Sequence, residues 1–339
     1  MTNAAVIGAG SWGTAIACVL GSKGVRTAVW ARSQDVVDGI ASEGRNPRYL
    51  SDVALPPSVW ATTDLEGAVA GADVMIVATP SVAVRQTASA LAELWDGSTP
   101  VVSLAKGLER GTLLRMTEVL AEVLGGSSRL AALSGPNHAE EVSLGIPSAT
   151  VIAAYEEQVG LELRALFSTP SFRAYTNPDV VGVELAGASK NVIAVAAGIS
   201  DGLGFGDNSK ASLMTRGLAE MTRLGRSRGA NPMTYMGLAG MGDLIATCTS
   251  RHSRNRALGE CIARGGSVPQ YEAESRMVAE GAFACVTVDE LGRAAGLELP
   301  ITHLVRDIVQ GRRSVAEAVG ALMGRDATDE LHGMDLTGL

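Results

Sequence analysis

The 339-residue sequence predicts two domains: an α/β N-terminal domain and a second, all-α C-terminal domain. Three observations carry this expectation. Short apolar runs without polar alternation recur in the first half, each leading into a helical pattern. That is how a mostly parallel sheet covered on both faces reads. A glycine-rich turn follows the first of these runs and opens the first helix. Beyond about residue 180 helical segments with glycine-rich joints succeed one another, and no β-branched run is long enough for a strand.

In chain order the strand candidates are Ala4–Ile7, Thr27–Ala31, Ala72–Ala78, Pro100–Leu104, Leu130–Leu133, Ala149–Ala153 and Phe172–Tyr175. Helical patterns cover 12–22, 81–94, 113–124 and 156–168, so the strands are joined by right-handed crossovers. The second half reads as helices over 180–200, 208–228, 251–264, 286–296 and 301–323. A boundary near 185 divides a dinucleotide-binding domain, 1–185, from an all-helical substrate domain, 186–339. The end of the chain, from Ala327, is polar and glycine-bearing and reads as a frayed end.

Composition narrows the function. With 46% hydrophobic and 19% charged residues, the chain can bury a sizeable core. A net charge of −8 and no long basic run leave nucleic-acid binding without an electrostatic footprint. The wholly apolar stretches, such as 192–197, are far shorter than the ~20 residues of a bilayer span, and no signal peptide is evident, so no integral membrane segment is expected. Cys18, Cys248, Cys261 and Cys285 are scattered and read as reduced thiols of a cytoplasmic protein. His138, His252, His303 and His332 are isolated, so no metal site is expected, and no nucleophile elbow supports a hydrolase.

Gly8-Ala-Gly10-Ser11-Trp12-Gly13 has the G-x-G-x-x-G spacing, which 40 glycines would produce by chance about half a time. Its position between a strand and an apolar-periodic helix raises its meaning to a Rossmann-type pyrophosphate turn. The next strand ends in Arg32-Ser33, where an NAD-selective site usually carries an acidic residue. A guanidinium followed by a hydroxyl suits a 2′-phosphate, favouring NADP(H) over NAD(H). A solvated arginine at a strand end is the alternative.

Lysine occurs only at positions 23, 106, 190 and 210 among the 28 basic residues. Lys106 and the segment Ser134-Gly135-Pro136-Asn137 both follow strands at the carboxyl edge of the sheet, where α/β proteins bind ligands. Lys190 lies in Glu184-Leu-Ala-Gly-Ala-Ser-Lys190-Asn191, a small-residue helix apolar on several faces. Partial desolvation there lowers an ammonium's pKa toward the range of proton transfer; the alternative is a lysine that snorkels to solvent. Arg251-His-Ser253-Arg254-Asn255-Arg256 precedes a helix for which Ser253 is an N-cap, a combination suited to a phosphate dianion or simply to a solvated helix start. Asp243 is a potential partner for a lysine. Lys23 reads as a helix-end charge, and Lys210 has no assigned role.

Over almost its whole length the sequence resembles the bacterial-type NAD(P)-dependent glycerol-3-phosphate dehydrogenases. The resemblance rests on GAGSWGTA (8–15), NPRYL (46–50), KGLE (106–109), SGPNHAEE (134–141), ELAGASKNVIA (184–194), GISDGLGFGDN (198–208), TRGLAEMTRLG (215–225), GLAGMGDL (237–244), CTSRHSRNR (248–256) and the segment 278–281. It implies interconversion of dihydroxyacetone phosphate and sn-glycerol 3-phosphate, supplying glycerophospholipid synthesis. It further implies that Lys190 is the general acid or base and that Ser253, Arg254 and Asn255 hold the substrate phosphate. Lys106, Gly135, Asn137 and Asp243 would line the substrate pocket. Ser11, Trp12, Arg32, Ser33, Tyr49, Lys106, Ala139, Arg254, Val278 and Glu280 would contact the dinucleotide. Asn137 departs from the family pattern, standing where many members carry Ser or Thr. The expected assembly is a homodimer.

Two other readings compete. In a two-domain β-hydroxyacid-type dehydrogenase the usual lysine is followed by Asn four positions on, whereas here Ala194 occupies that place and Asn191 is adjacent to Lys190. A dinucleotide sensor without turnover would not need two lysines together with a phosphate anchor.

Overall fold

The computed structural model describes residues 2–275, 279–326 and 329–330. Its chain divides into two compact units, Met1–Glu109 with Leu114–Glu184, and Arg110–Leu113 with Leu185–Leu339. Arg110–Leu113, inside the expected 1–185 domain, groups with the second unit. The Arg110 guanidinium stacks over the Phe283 ring of that unit, 4.5 Å from its centroid.

In the first unit, β1 (Asn3–Ile7), α1 (Ser11–Ser22), β2 (Arg26–Trp30), α2 (Gln34–Glu43), β3 (Val59–Thr62), α3 (Leu65–Val69) and β4 (Val74–Val77) form the first part. They are followed by α4 (Val84–Ala92), β5 (Val101–Ser103), α5 (Met116–Leu124), β6 (Leu130–Ser134), α6 (Ala139–Ser143), β7 (Ser148–Ala154), α7 (Glu157–Phe167) and β8 (Phe172–Asn177). The sheet order is β3-β2-β1-β4-β5-β6-β7-β8. All neighbours run parallel except β6 and β7, which are antiparallel. The expected strands are present; β3 was not expected, because its Val-Trp-Ala-Thr is short and half-exposed at the sheet edge.

Strand geometry explains the unbroken apolar runs. Successive side chains point to opposite faces, so Ala4 and Val6 enter one core with Ile16, Leu20 and Phe172. Ala5 and Ile7 enter the other, with Leu91, Met116 and Leu120. Ile16, Leu20, Leu91 and Leu120 are completely buried, each contributing about 1.5–3 kcal/mol of apolar burial. The order in which successive strands are added reverses at β1, whose neighbours are β2 and β4, and at such a switch point the carboxyl edge opens a crevice for ligands.

A buried ion pair closes the far part of this unit. Glu184 accepts from Arg115 Nη1 at 2.7 Å and from Thr117 through its N–H at 2.9 Å and its hydroxyl at 2.5 Å. Burial pushes the Glu184 carboxyl up, and the pull of Arg115 and Thr117 opposes it.

The second unit is helical among its described residues: α8 (Val180–Gly202, begun in the first unit), α9 (Asp207–Ser227), α10 (Pro232–Tyr235), α11 (Asp243–Thr249), α12 (Arg254–Ala263), α13 (Val268–Ser275), α14 (Glu280–Ala294), α15 (Pro300–Val309) and α16 (Val315–Met323). The expected single helix over 301–323 is two, because Ser314 starts a new one with a capping box to Glu317. The helix expected over 286–296 begins earlier, at Glu280. By length and mean hydropathy, 1.4, α8 could cross a membrane, which the short wholly apolar runs did not suggest; 89% of its apolar window is buried inside the protein instead. Of the end expected to fray, from Ala327, residues 327–328 and 331–339 lie outside the described residues, as does Val278.

Candidate active site

At the switch point the glycine turn is sterically demanded. Gly8 has φ +122°, and a Cβ there would lie 2.9 Å from the backbone C and O of Ala78, just past β4. A Cβ on Gly13 would run into the Gly8 carbonyl. Gly10 differs: a Cβ there would meet nothing within 4 Å. The space beside it is open, and the fold itself does not demand a glycine there. Gly10 is the N-cap of α1, without a side-chain cap bond and with no acidic residue in the first turn. Ser11 and Trp12 supply that turn, and an uncapped helix start of this kind is suited to a pyrophosphate.

Trp12 packs edge-on against Phe172, and its indole Nε1 is buried without a partner. Asn46, fully buried, donates through Nδ2 to Ala9 O and to Thr14 Oγ1, both at 2.9 Å, and accepts from the N–H groups of Arg48 and Tyr49. It therefore ties the loop bearing Tyr49 to the glycine turn. Arg32 is exposed at the tip of β2, followed by Ser33, the N-cap of α2. The open space at Gly10, the bare helix start and the cationic strand tip together fit a dinucleotide.

Further along the same edge, Lys106 Nζ donates to Gly135 O at 3.0 Å, so these two expected residues meet. Asn137 donates through Nδ2 to Ala149 O at 2.8 Å, while its buried Oδ1 has no partner. Ala139, buried, starts α6 immediately after.

In the second unit Lys190 is 5% exposed. Its Nζ donates to Asp243 Oδ1 at 2.8 Å and to Thr247 Oγ1 at 2.6 Å. Both partners come from α11, whose start follows one π-helical turn, Leu238–Gly242. A carboxylate at that N-terminus is also favoured by the helix dipole. Thr247 lies one turn after Asp243 and donates its own hydroxyl proton to the Asp243 carbonyl at 2.6 Å, which leaves a lone pair to receive the ammonium. Cys248 is fully buried, and burial pushes its thiol up to about 12, so it stays protonated beside this pair.

Asn255, at the start of α12, donates through Nδ2 to Asn191 Oδ1 and accepts from Gly281 N–H, each at 2.8 Å. One amide N–H of its side chain remains for a ligand. Ser253 caps α12 by accepting from Arg256 N–H at 3.2 Å, and exposed Arg254 is the first helical residue. The first turn of α12 has no acidic residue, so its N–H groups and Arg254 are suited to an anion. Glu280 opens α14 next to Gly281.

Sequence reasoning did not find Thr247, Asn191 or Asn46. The one available signal was spacing: Asp243 and Thr247 are four apart and share a helix face. Among the described residues no group of three or more His, Cys, Asp or Glu is placed to hold a metal ion.

Two family sequence models match, described as the N-terminus (residues 3–160) and the C-terminus (residues 179–320) of NAD-dependent glycerol-3-phosphate dehydrogenase. A glycerol-3-phosphate dehydrogenase [NAD(P)+] of Thermobifida fusca is 47% identical over 336 residues, covering 98% of this chain and 100% of that protein. One from Nocardia farcinica is 48% identical over 332 residues, covering 96% and 98%. The crystal structure of glycerol-3-phosphate dehydrogenase from Coxiella burnetii superposes with a TM-score of 0.91 at 37% identity, covering 96% of this chain and 99% of that one.

Proposed function

Because the chain belongs to the NAD-dependent glycerol-3-phosphate dehydrogenase family, we propose that Lys190 is its proton donor and acceptor. The enzyme is an oxidoreductase interconverting dihydroxyacetone phosphate and sn-glycerol 3-phosphate with NAD(P)H. The observation that carries the role of Lys190 is its burial against Asp243 and Thr247. When bound, the nicotinamide supplies or accepts the hydride.

Hydride addition to a ketone builds negative charge on oxygen, which requires a proton and cationic surroundings. Lys190 delivers that proton from Nζ to the carbonyl oxygen; in the oxidising direction it takes the hydroxyl proton. Asp243 and Thr247 keep the ammonium oriented, so no reorganisation is needed at the moment of transfer. Arg254, with Ser253, Asn255 and the first turn of α12, holds the phosphate, and that remote anchor orients the reacting carbonyl. Lys106, Gly135 and Asn137 complete the substrate contacts.

Gly8, Gly10, Ser11, Trp12 and Gly13 would hold the pyrophosphate, with Tyr49, Lys106, Ala139, Arg254, Val278 and Glu280 as further contacts. Arg32 and Ser33 would bind a 2′-phosphate, making NADP(H) the preferred cofactor. Most cofactor contacts would come from the dinucleotide-binding domain, 1–185, and the proton donor and phosphate anchor from the substrate domain, 186–339. The enzyme works as a cytoplasmic homodimer, and its product is the backbone of glycerophospholipids.

Purified protein should oxidise NADPH when dihydroxyacetone phosphate is added. A folded, cofactor-binding protein without turnover would overturn the reading.

A further inference from the structure

The helices α8 and α12 meet backbone to backbone. A Cβ on Gly198 would run into the Arg256 carbonyl, and one on Gly259 would run into the Val195 carbonyl and lie 2.7 Å from Ile199 N. The two helices are already joined at the end nearer Lys190 by the buried bond from Asn255 Nδ2 to Asn191 Oδ1. A lock is present beside the crossing. Asp201 Oδ2 accepts from Arg256 Nε at 2.6 Å, and Asp201 Oδ1 pairs with Lys210 Nζ at 2.6 Å. The three side chains are only 12%, 21% and 20% exposed.

Each of these charges stands at the wrong end of its own helix. Asp201 is next to the carboxyl end of α8, whereas Lys210 and Arg256 lie in the first turns of α9 and α12. The helix dipole favours the opposite sign at all three places. The dipole therefore does not account for them; Arg256 also pairs with Glu260 one turn along α12 at 2.8 Å, and what all three charges share is the contact between helices. Arg256 is also two residues from Arg254, and Asp201 lies about 16 Å along α8 from Lys190.

We propose that Asp201 is a positioning residue that fixes the height of the phosphate anchor on α12 relative to Lys190 on α8, and so sets the enzyme's selectivity for a phosphorylated ketone. This rests on the reading of Arg254 as the phosphate anchor. Lys210, for which the sequence offered no role, is the second half of the lock.

The test compares Asp201→Asn, Asp201→Glu and Arg254→Ala with the unaltered enzyme, using dihydroxyacetone phosphate and unphosphorylated dihydroxyacetone. Asp201→Asn should raise KM for the phosphorylated ketone about tenfold with kcat within about threefold. Its kcat/KM for dihydroxyacetone and its Kd for NADPH should not change, and Asp201→Glu, which keeps the carboxylate, should recover most of the lost KM. Equal losses on both ketones, or no loss on either, would overturn the proposal. If Asp201→Asn does not fold, Lys210→Met leaves the Arg256 pair and should show the same split with a smaller rise. A phosphate-selective loss in Arg254→Ala but not in Asp201→Asn removes the lock alone. Equal losses on both ketones in Arg254→Ala remove the anchor reading and the lock with it.

Discussion

Lys190 and Asp243, 53 residues apart in sequence, form a buried ion pair with Nζ 2.8 Å from Oδ1. Lys190→Ala removes the proposed proton donor and leaves the cofactor-binding groups of the other unit untouched. Turnover should fall by about 10² or more with NADPH affinity nearly unchanged. Fluorescence titration and steady-state rates on the same preparation separate the two. Near-normal turnover would assign the proton to another group.

Thr247→Val keeps the shape of the side chain and deletes both the acceptor for Lys190 and the donor to the Asp243 carbonyl. A hydrogen bond to a charged group is worth about 1.5–3 kcal/mol, so kcat should fall about tenfold or more. KM for the ketone should move little. A change confined to KM would place Thr247 in binding rather than in orienting the ammonium.

Arg32→Ala tests the cofactor preference. Charge-assisted bonds to a 2′-phosphate predict an NADPH Kd raised about 10- to 100-fold, with that of NADH unaltered. Parallel weakening of both nucleotides would contradict a 2′-phosphate role.

Asp96 makes a prediction about stability. Its carboxylate accepts from the N–H groups of Thr99 and Ser98 and from the Ser98 hydroxyl. These bonds hold its pKa down to about 2. A depressed carboxylate pKa contributes stability above the unfolded value near 3.9, and that contribution is lost as pH falls through the folded value. Asp96→Ala should therefore melt about 2 °C lower at pH 7. The gap should narrow below about pH 4 and close near pH 2; a constant gap across that range would show that the charge is irrelevant.

Local features were legible in the sequence. The glycine turn, the strand before it and the Ser253 cap each depend on a few consecutive residues, and each is found where those residues place it. The partners of those features were not legible. Asn46 reaches back 32 residues to Thr14, Thr247 lies 57 residues from Lys190, and Glu184 is 69 residues from Arg115. A polar side chain carries no local sign of which distant group will satisfy it. The short helices α10 and α13 escaped for a different reason, having too few turns for a periodic apolar stripe.

Each of the four lysines is engaged elsewhere in the fold. Lys23 donates to the carbonyls of Ala165 and Leu166, Lys106 to that of Gly135, Lys190 holds Asp243, and Lys210 holds Asp201. An acylating reagent thus finds no idle lysine ammonium in this chain. Every side-chain amine it modifies is a tertiary contact removed, so amine labelling becomes a chemical readout of the folded state, and immobilisation through lysine sacrifices part of it.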